Sequence, residues 1–273
     1  MALRASSGKP VPSRSALPTQ IRHNRPRPMD LETELTGSTR FQRVTHVASC
    51  DSTQALAERD PFGGCAVFWS DHQSAGRGRE GREWLDSPAE DLAVTFQITG
   101  LALQNPTHLA AAIPIAAIES INSIVPETRI KWPNDLLLHG RKLGGILIDS
   151  HGHPNDTHLV GIGMNINRSA FPPELVEQST SLALITGREF DRAERVLCLA
   201  QAIDRVITQM AENDLETLAT AFAAYLKLSG QRVQATTGDR TIHGVLTALD
   251  LDRVVLDDHE EIPLAHLRSL APD

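Results

Sequence analysis

The chain has 273 residues, 41% of them hydrophobic and 22% charged, a mix able to fold around a sizeable core in roughly two domains. Its 26 Lys and Arg against 34 Asp and Glu leave a formal net charge of -8, which argues against a general nucleic-acid coat but not against a local basic patch. Three dispersed cysteines (Cys50, Cys65 and Cys198), no apolar run near the roughly 18 residues of a membrane span and no secretory core together predict a cytoplasmic protein with reduced thiols.

Residues 1–38 are expected to form a flexible arm. In the first thirty residues Arg4, Lys9, Arg14, Arg22, Arg25 and Arg27 stand against Asp30 alone, a net +5, among Pro10, Pro12, Pro18, Pro26 and Pro28. Few large apolar residues occur there to offset the entropy of ordering the backbone. The stretch loosely resembles an organelle transit peptide, but its prolines argue against the amphipathic helix such peptides use.

Residues 41–47 read as a strand, after which Asp51 or Ser52 can cap a helix over 53–59. Strands are predicted over 64–70 and 91–98, and residues 107–125 read as an apolar helix bent at Pro114. A short strand follows over 129–132, then a hairpin of 136–138 with 143–149, then a strand over 158–167. Helices are predicted over 192–212 and 215–228. Beyond Gly230 the pattern changes to short β segments, 232–236, 241–249, 253–256 and 260–263, which suggest a small barrel. The expected organisation is therefore an arm over 1–38, a larger α/β region over 39–228 and a C-terminal unit over 229–273. Neither an internal repeat nor a heptad pattern is present.

Four segments carry chemistry. Arg77, Arg79 and Arg82 alternate with Gly76, Gly78 and Gly81 in one polar loop. Glycine lets backbone approach an anion and arginine offers a planar fork of donors. Such a loop would be mobile when empty and ordered by an anionic ligand, or else it is a solvated surface loop; no Gly-Lys-Ser/Thr makes it a P-loop. Lys131-Trp132-Pro133-Asn134-Asp135 and Arg141-Lys142-Leu143-Gly144-Gly145 flank the predicted hairpin. A lysine entering apolar surroundings needs an anion. Asp135 could serve, or could hold magnesium bound to phosphate oxygens; the alternative is a simple turn. Gly161-Ile162-Gly163-Met164-Asn165-Ile166-Asn167 reads as a strand closely approached by a ligand or another backbone, with Asn165 and Asn167 on one face, or as a bulged strand. Asp51-Ser52-Thr53-Gln54 is either a helix cap or the polar end of a small-molecule pocket. Asp149, His151, His153 and His158 lie close together, but the intervening Gly152, Pro154 and Asn155 favour a turn over a metal site.

These segments in this order, DSTQ, QSAGRGREGREW, KWPNDLLLHGRKLGGILID and GIGMNIN, resemble the biotin protein ligases. The resemblance spans residues 41–270. It implies an α+β catalytic domain like that of class II aminoacyl-tRNA synthetases, with a small C-terminal SH3-like β-barrel. It also implies two steps: biotin and MgATP give biotinyl-5'-adenylate and pyrophosphate, and the adenylate acylates a lysine of a biotin carboxyl carrier domain. By the same resemblance Ser52, Thr53, Gln54 and Gln73 contact biotin, Gln54 standing where many relatives have Asn. Arg77, Gly78 and Arg79 belong to a loop closing over the adenylate, and Trp84 is an aromatic wall. Lys142 contacts the biotin carboxylate and α-phosphate and, with Arg79, is catalytic. Gly145 lies in the same pocket, Lys131 and Asp135 near phosphates and magnesium, and Asn165 on the adenylate.

Some relatives also repress transcription through an N-terminal winged helix, which the proline-rich residues 1–38 do not fit. The expectation is a ligase without specific DNA binding, a monomer or homodimer. Lipoate or octanoyl transfer and a non-catalytic biotin or nucleotide sensor are the rival readings; the arginine loop, Lys142 and the C-terminal β segments favour the ligase.

Overall fold

The computed structural model describes residues 30–61, 63–100, 105, 107–150, 156–238, 240–257 and 260–273. Strand β3 (Leu92–Ile98) is buried at every position, as a strand covered on both faces must be. Around it the order is β1 (Arg43–Val47), β2 (Ala66–Ser70), β3, β7 (His158–Met164), β6 (Arg141–Asp149), β5 (Asp135–Leu138) and β4 (Arg129–Lys131). The β1–β2 pair is parallel and all the others antiparallel.

Alternation within β2 shows why both faces are covered. Val67 and Trp69 join the large core, whereas Ala66 and Phe68 pack with Ala57 and Leu159 on the other side. The second face is closed by α2 (Thr53–Glu58), which packs on β2, β3 and β7. The first carries α3 (His108–Glu119) and, after the short α4 (Leu182–Thr186), α5 (Arg192–Ala211), with α6 (Leu215–Leu226) beside them. In α5, Val196, Leu199, Ile203, Val206, Ile207 and Met210 are buried, the stripe that a 3.6-residue period places on one side. Asp191 caps it by accepting the Ala193 and Glu194 amides. The helix expected through residue 125 ends at Glu119, and it continues through Pro114.

The expected end of the arm at residue 38 is corrected. Leu31–Ser38 is a helix, α1, capped by Asp30, with Leu35 0% exposed in the core. Just after it, Arg40 Nε pairs with Asp204 of α5 at 2.6 Å. One buried leucine, one cap and one ion pair give these residues tertiary partners that local composition does not reveal. The reading of a flexible arm for residues 1–29 lies outside the described residues.

The C-terminal residues form β8 (Arg232–Thr237), β9 (Arg240–Leu249), β10 (Arg253–Leu256), β11 (Glu260–Pro263) and β12 (Leu267–Pro272). They make an open antiparallel sheet in the order β11-β10-β9-β8-β12. β12 was not expected; ending in Pro272, it occupies an edge, where a missing N–H is tolerated. The sheet is tied to the first by Trp132 Nε1, which donates to the Leu267 carbonyl at 2.8 Å, and by His108 Nε2 against Asp252 Oδ1 at 2.8 Å. The whole is a mixed α/β fold, and no helix among the described residues is long and apolar enough to cross a membrane.

One interior ion pair joins Arg168 to Asp91, Nε to Oδ2 at 3.0 Å. Burial outweighs the guanidinium and pushes the Asp91 carboxyl up to about 6. A raised carboxyl contributes stability that is present at low pH and lost as pH rises through about 6. Denaturation midpoints should therefore fall between pH 5 and pH 7, and replacing the pair by Asp91→Leu with Arg168→Met should flatten that fall. Leu35→Ala should cost about 2–5 kcal/mol in urea unfolding; a loss below about 0.5 kcal/mol would show α1 to be undocked.

Candidate functional site

A cavity of ≈ 120 Å³ opens between the N-terminal end of α2, the arginine segment and strands β3, β6 and β7. Its polar end is built at α2. Ser52 accepts the Gln54 amide at 3.2 Å, so Ser52 is a helix cap and also lines the cavity. The Thr95 hydroxyl donates to Thr53 Oγ1 at 2.9 Å, and Thr53 donates its hydroxyl and backbone N–H to Gln73 Oε1 at 3.2 and 2.8 Å. Gln73 is fixed in turn by its own amide on Asp86 Oδ2 at 2.9 Å. Buried hydroxyls and amides are thus chained together at the cavity wall, which holds their rotamers.

The arginine segment is a hairpin of its own. Trp84 N donates to the Gly76 carbonyl at 2.9 Å and Gly78 N to the Arg82 carbonyl at 2.7 Å, with a 3-10 turn, Arg79–Gly81, at the tip. A Cβ on Gly76 would stand 2.5 Å from the Trp84 carbonyl, which accounts for that glycine. Arg77 Nη1 pairs with Glu58 of α2 at 2.8 Å. Arg79 has no ion-pair partner among the described residues, and it lines both this cavity and a second cleft of ≈ 550 Å³.

Trp84 lies flat against β7, and a Cβ on Gly163 would overlap its indole. A Cβ on Gly161 would likewise overlap Gln54 Oε1. The close approach expected at these glycines is real, and it is made by side chains of the pocket itself. Lys142 Nζ sits 6.0 Å from the Trp84 ring centroid and 2.6 Å from Asp135 Oδ1. Backbone bonds on both sides, Lys142 N to the Gln178 carbonyl at 2.7 Å and Thr180 N to the Lys142 carbonyl at 2.9 Å, fix the strand that carries it.

Ser52, Thr53, Gln54, Gln73, Arg77, Gly78, Arg79, Trp84, Lys142 and Gly145 all line the cavity. Three expected residues do not. Lys131 is exposed on β4, across the ladder from Asp135. Asp135 is engaged by Lys142. Asn165 lies beyond the end of β7, and its amide donates to the Thr180 and Lys142 carbonyls at 2.9 and 3.3 Å. The strand expected over 158–167 stops at Met164, so Asn165 and Asn167 do not share a strand face. Asn167 instead brackets Phe190, donating to its carbonyl and accepting its amide at 2.9 Å each.

The cavity also recruits Asn134 and Glu83. Asn134 exchanges bonds with Ile146, its Nδ2 donating to that carbonyl at 3.2 Å, and lies between cavity and cleft. Its place inside the Lys131–Asp135 motif was the available signal, as was the place of Glu83 inside the arginine segment, where it forms a backbone bridge to Arg77 across the hairpin. Among the described residues no group of three His, Cys, Asp or Glu can hold a metal; a magnesium ion would take Asp135 together with ligand phosphates, an arrangement that suits it. His151 and His153 lie outside the described residues. Gly163→Ala should displace the indole while leaving the fold intact, read as increased acrylamide quenching of tryptophan emission with unchanged far-UV circular dichroism.

With this geometry in view, the comparisons are specific. The model of the biotin/lipoate A/B protein ligase family matches residues 54–167. The biotin–[acetyl-CoA-carboxylase] ligase of Paracoccus denitrificans is 31% identical over 215 residues, covering 75% of this chain and 89% of that protein. The bifunctional ligase/repressor BirA of Bacillus subtilis is 26% identical over 237 residues, 85% of this chain and 73% of that protein. The structure of biotin protein ligase from Aquifex aeolicus in complex with biotin and ATP matches with a TM-score of 0.76 and 25% identity, over 85% of this chain and all of that one. Fold, motif order and sequence therefore agree that the chain belongs to the biotin/lipoate A/B protein ligase family, among its biotin protein ligases.

Proposed function

We propose that the cavity takes biotin, that the adjoining cleft takes ATP, and that the chain joins them before passing biotin to a carrier lysine. It is an ATP-dependent biotin–[biotin carboxyl-carrier protein] ligase. The observation that carries this reading is that Arg79 and Asn134 line the cavity and the cleft together, with Lys142 on the cavity side.

The chemistry sets the requirement. A biotin carboxylate oxygen attacks the α-phosphorus of ATP and pyrophosphate leaves; then the amine of the carrier lysine attacks the acyl carbon and AMP leaves. In the first step two anions approach to bonding distance, so fixed cations must offset their repulsion. Lys142 meets the carboxylate and α-phosphate, exchanging its Asp135 partner for the ligand. Arg79, without an ion-pair partner among the described residues at the tip of the hairpin, meets the same anions from above. Magnesium, when bound, neutralises phosphate charge, and Asp135 would hold it. Trp84 and the Thr53–Gln73 relay orient biotin, and the hairpin excludes water from the mixed anhydride. Lys131 and Asn165 support the site from outside the cavity, the one as a nearby positive charge and the other by fixing the backbone of Lys142.

The five-stranded C-terminal sheet is read as the SH3-like unit of the family, supported by its strand count and by the contribution of Leu267 of β12, with Leu264 and Ala265 of the turn before it, to the nucleotide cleft. The proposed ligase is cytoplasmic, a monomer or homodimer, acts on the carrier domain of a biotin-dependent carboxylase, and makes no specific DNA contact.

Labelled biotin and labelled lipoate, each with ATP and an apo carrier domain, test the reading: label from biotin alone should appear on the carrier. Transfer from lipoate alone, or transfer without ATP, would overturn it. Lys142→Ala should lower biotin-dependent pyrophosphate exchange by at least about 10²–10³-fold, since removing one such donor costs about 2.7–4 kcal/mol of barrier. Arg79→Gly should form adenylate but release it to solvent faster than the unsubstituted chain, measured by trapping free biotinyl-5'-adenylate.

A further inference from the structure

Trp84 is the cavity wall, and its indole is seated on β7 at Gly163 by packing rather than by a polar bond. Its indole Nε1 is buried without a hydrogen-bond partner among the described residues. The next residue, Leu85, is 53% exposed and so gains little from packing. On the near side Trp84 is fixed by its amide on the Gly76 carbonyl. On the far side the chain runs through residues 85–91 before re-entering the pocket floor at Ala93 and Val94 of β3.

One side chain grips both ends of that link. Arg168, 6% exposed, sends Nη2 to the Leu85 carbonyl at 3.0 Å and Nε to Asp91 Oδ2 at 3.0 Å. Its guanidinium carbon lies 4.9 Å from the Phe171 ring centroid, and Ser181 Oγ donates to its carbonyl at 2.6 Å. Asp91 accepts the Ser87 amide at 2.8 Å, so the link is folded onto the same pair. Arg168 itself lines neither cavity nor cleft.

Resting on the ligase reading, we propose that Arg168 is a positioning residue that sets Trp84 through the Leu85 carbonyl and Asp91, and so governs how firmly the arginine hairpin closes over biotin and its adenylate. Only a planar fork addresses a carboxylate and a carbonyl six positions apart in directions fixed at once; a lysine reaches one of them. Stability does not explain the pair. An interior ion pair is commonly matched or bettered by apolar residues of the same volume, and burial already holds the Asp91 carboxyl above its usual range. The pair instead clamps a backbone carbonyl one residue from a pocket wall, where a shift of about 1 Å can cost up to about 100-fold in rate.

The test uses the full chain with biotin, ATP and an apo carrier domain. Two variants are compared: Arg168→Lys, which keeps a charge for Asp91, and Arg168→Met with Asp91→Leu, which removes both charges without leaving either alone. In each, KM for biotin should rise about tenfold and adenylate should escape about tenfold faster in the absence of carrier, with KM for carrier within about twofold of the unsubstituted chain. Melting temperature is read alongside. The apolar pair should melt no lower at pH 7.5, separating the positioning effect from loss of fold. Unchanged biotin KM and adenylate escape in both variants would overturn the proposal, as would equal rises in KM for all three substrates. If the unsubstituted chain transfers no biotin, the ligase reading itself fails, and this proposal with it.

Discussion

Bringing one anion against another is the physical problem around which this molecule is arranged. A carboxylate and a triphosphate repel in water and more so in a cavity, where the dielectric screens them less. The cations that offset this repulsion come from two kinds of support. Lys142 sits on a strand whose amide and carbonyl are both bonded to the segment around Gln178 and Thr180. Arg79 sits at the tip of a hairpin joined to the body by Arg77 on Glu58 and by the residues near Trp84. A rigid cation sets geometry, while one on a hairpin can admit and enclose a ligand.

Before a ligand enters, that charge is partly answered from within. Asp135 holds Lys142, and Glu58 holds Arg77, so these two positive groups are not left to repel each other. Both pairs are partly exposed, where ion pairs are worth little and exchange readily for a stronger anion. The site can therefore be folded and still available. In contrast, the Arg168–Asp91 pair is sealed in the interior and belongs to the scaffold behind the pocket wall.

Shape is set by missing side chains as much as by present ones. Gly161 and Gly163 make room on β7 for Gln54 and Trp84, and Gly76 lets the hairpin close on itself. The second sheet adds the far wall of the cleft. Its attachment is polar as well as apolar, through Trp132 to the Leu267 carbonyl and His108 to Asp252, and a carbonyl and a carboxylate give that joint a definite orientation.

Much of this was legible from the chain alone. The alternation and turn residues predicted the β5–β6 hairpin, the two long helices α5 and α6, and the change to short strands after Gly230, because these are local patterns of period and φ/ψ preference. Motif order identified the family, and ten of the expected site residues line one cavity. What the sequence left open depended on contacts between distant segments. Leu31–Ser38 is helical because α5 offers Leu35 a place, and β12 exists because β8 offers an edge. Asn165 is turned to the backbone instead of the pocket by Thr180 and Lys142. Spacing along a chain fixes periodicity and chemistry, but which partner a buried polar group finds is decided only when strands far apart in sequence are brought within hydrogen-bond reach.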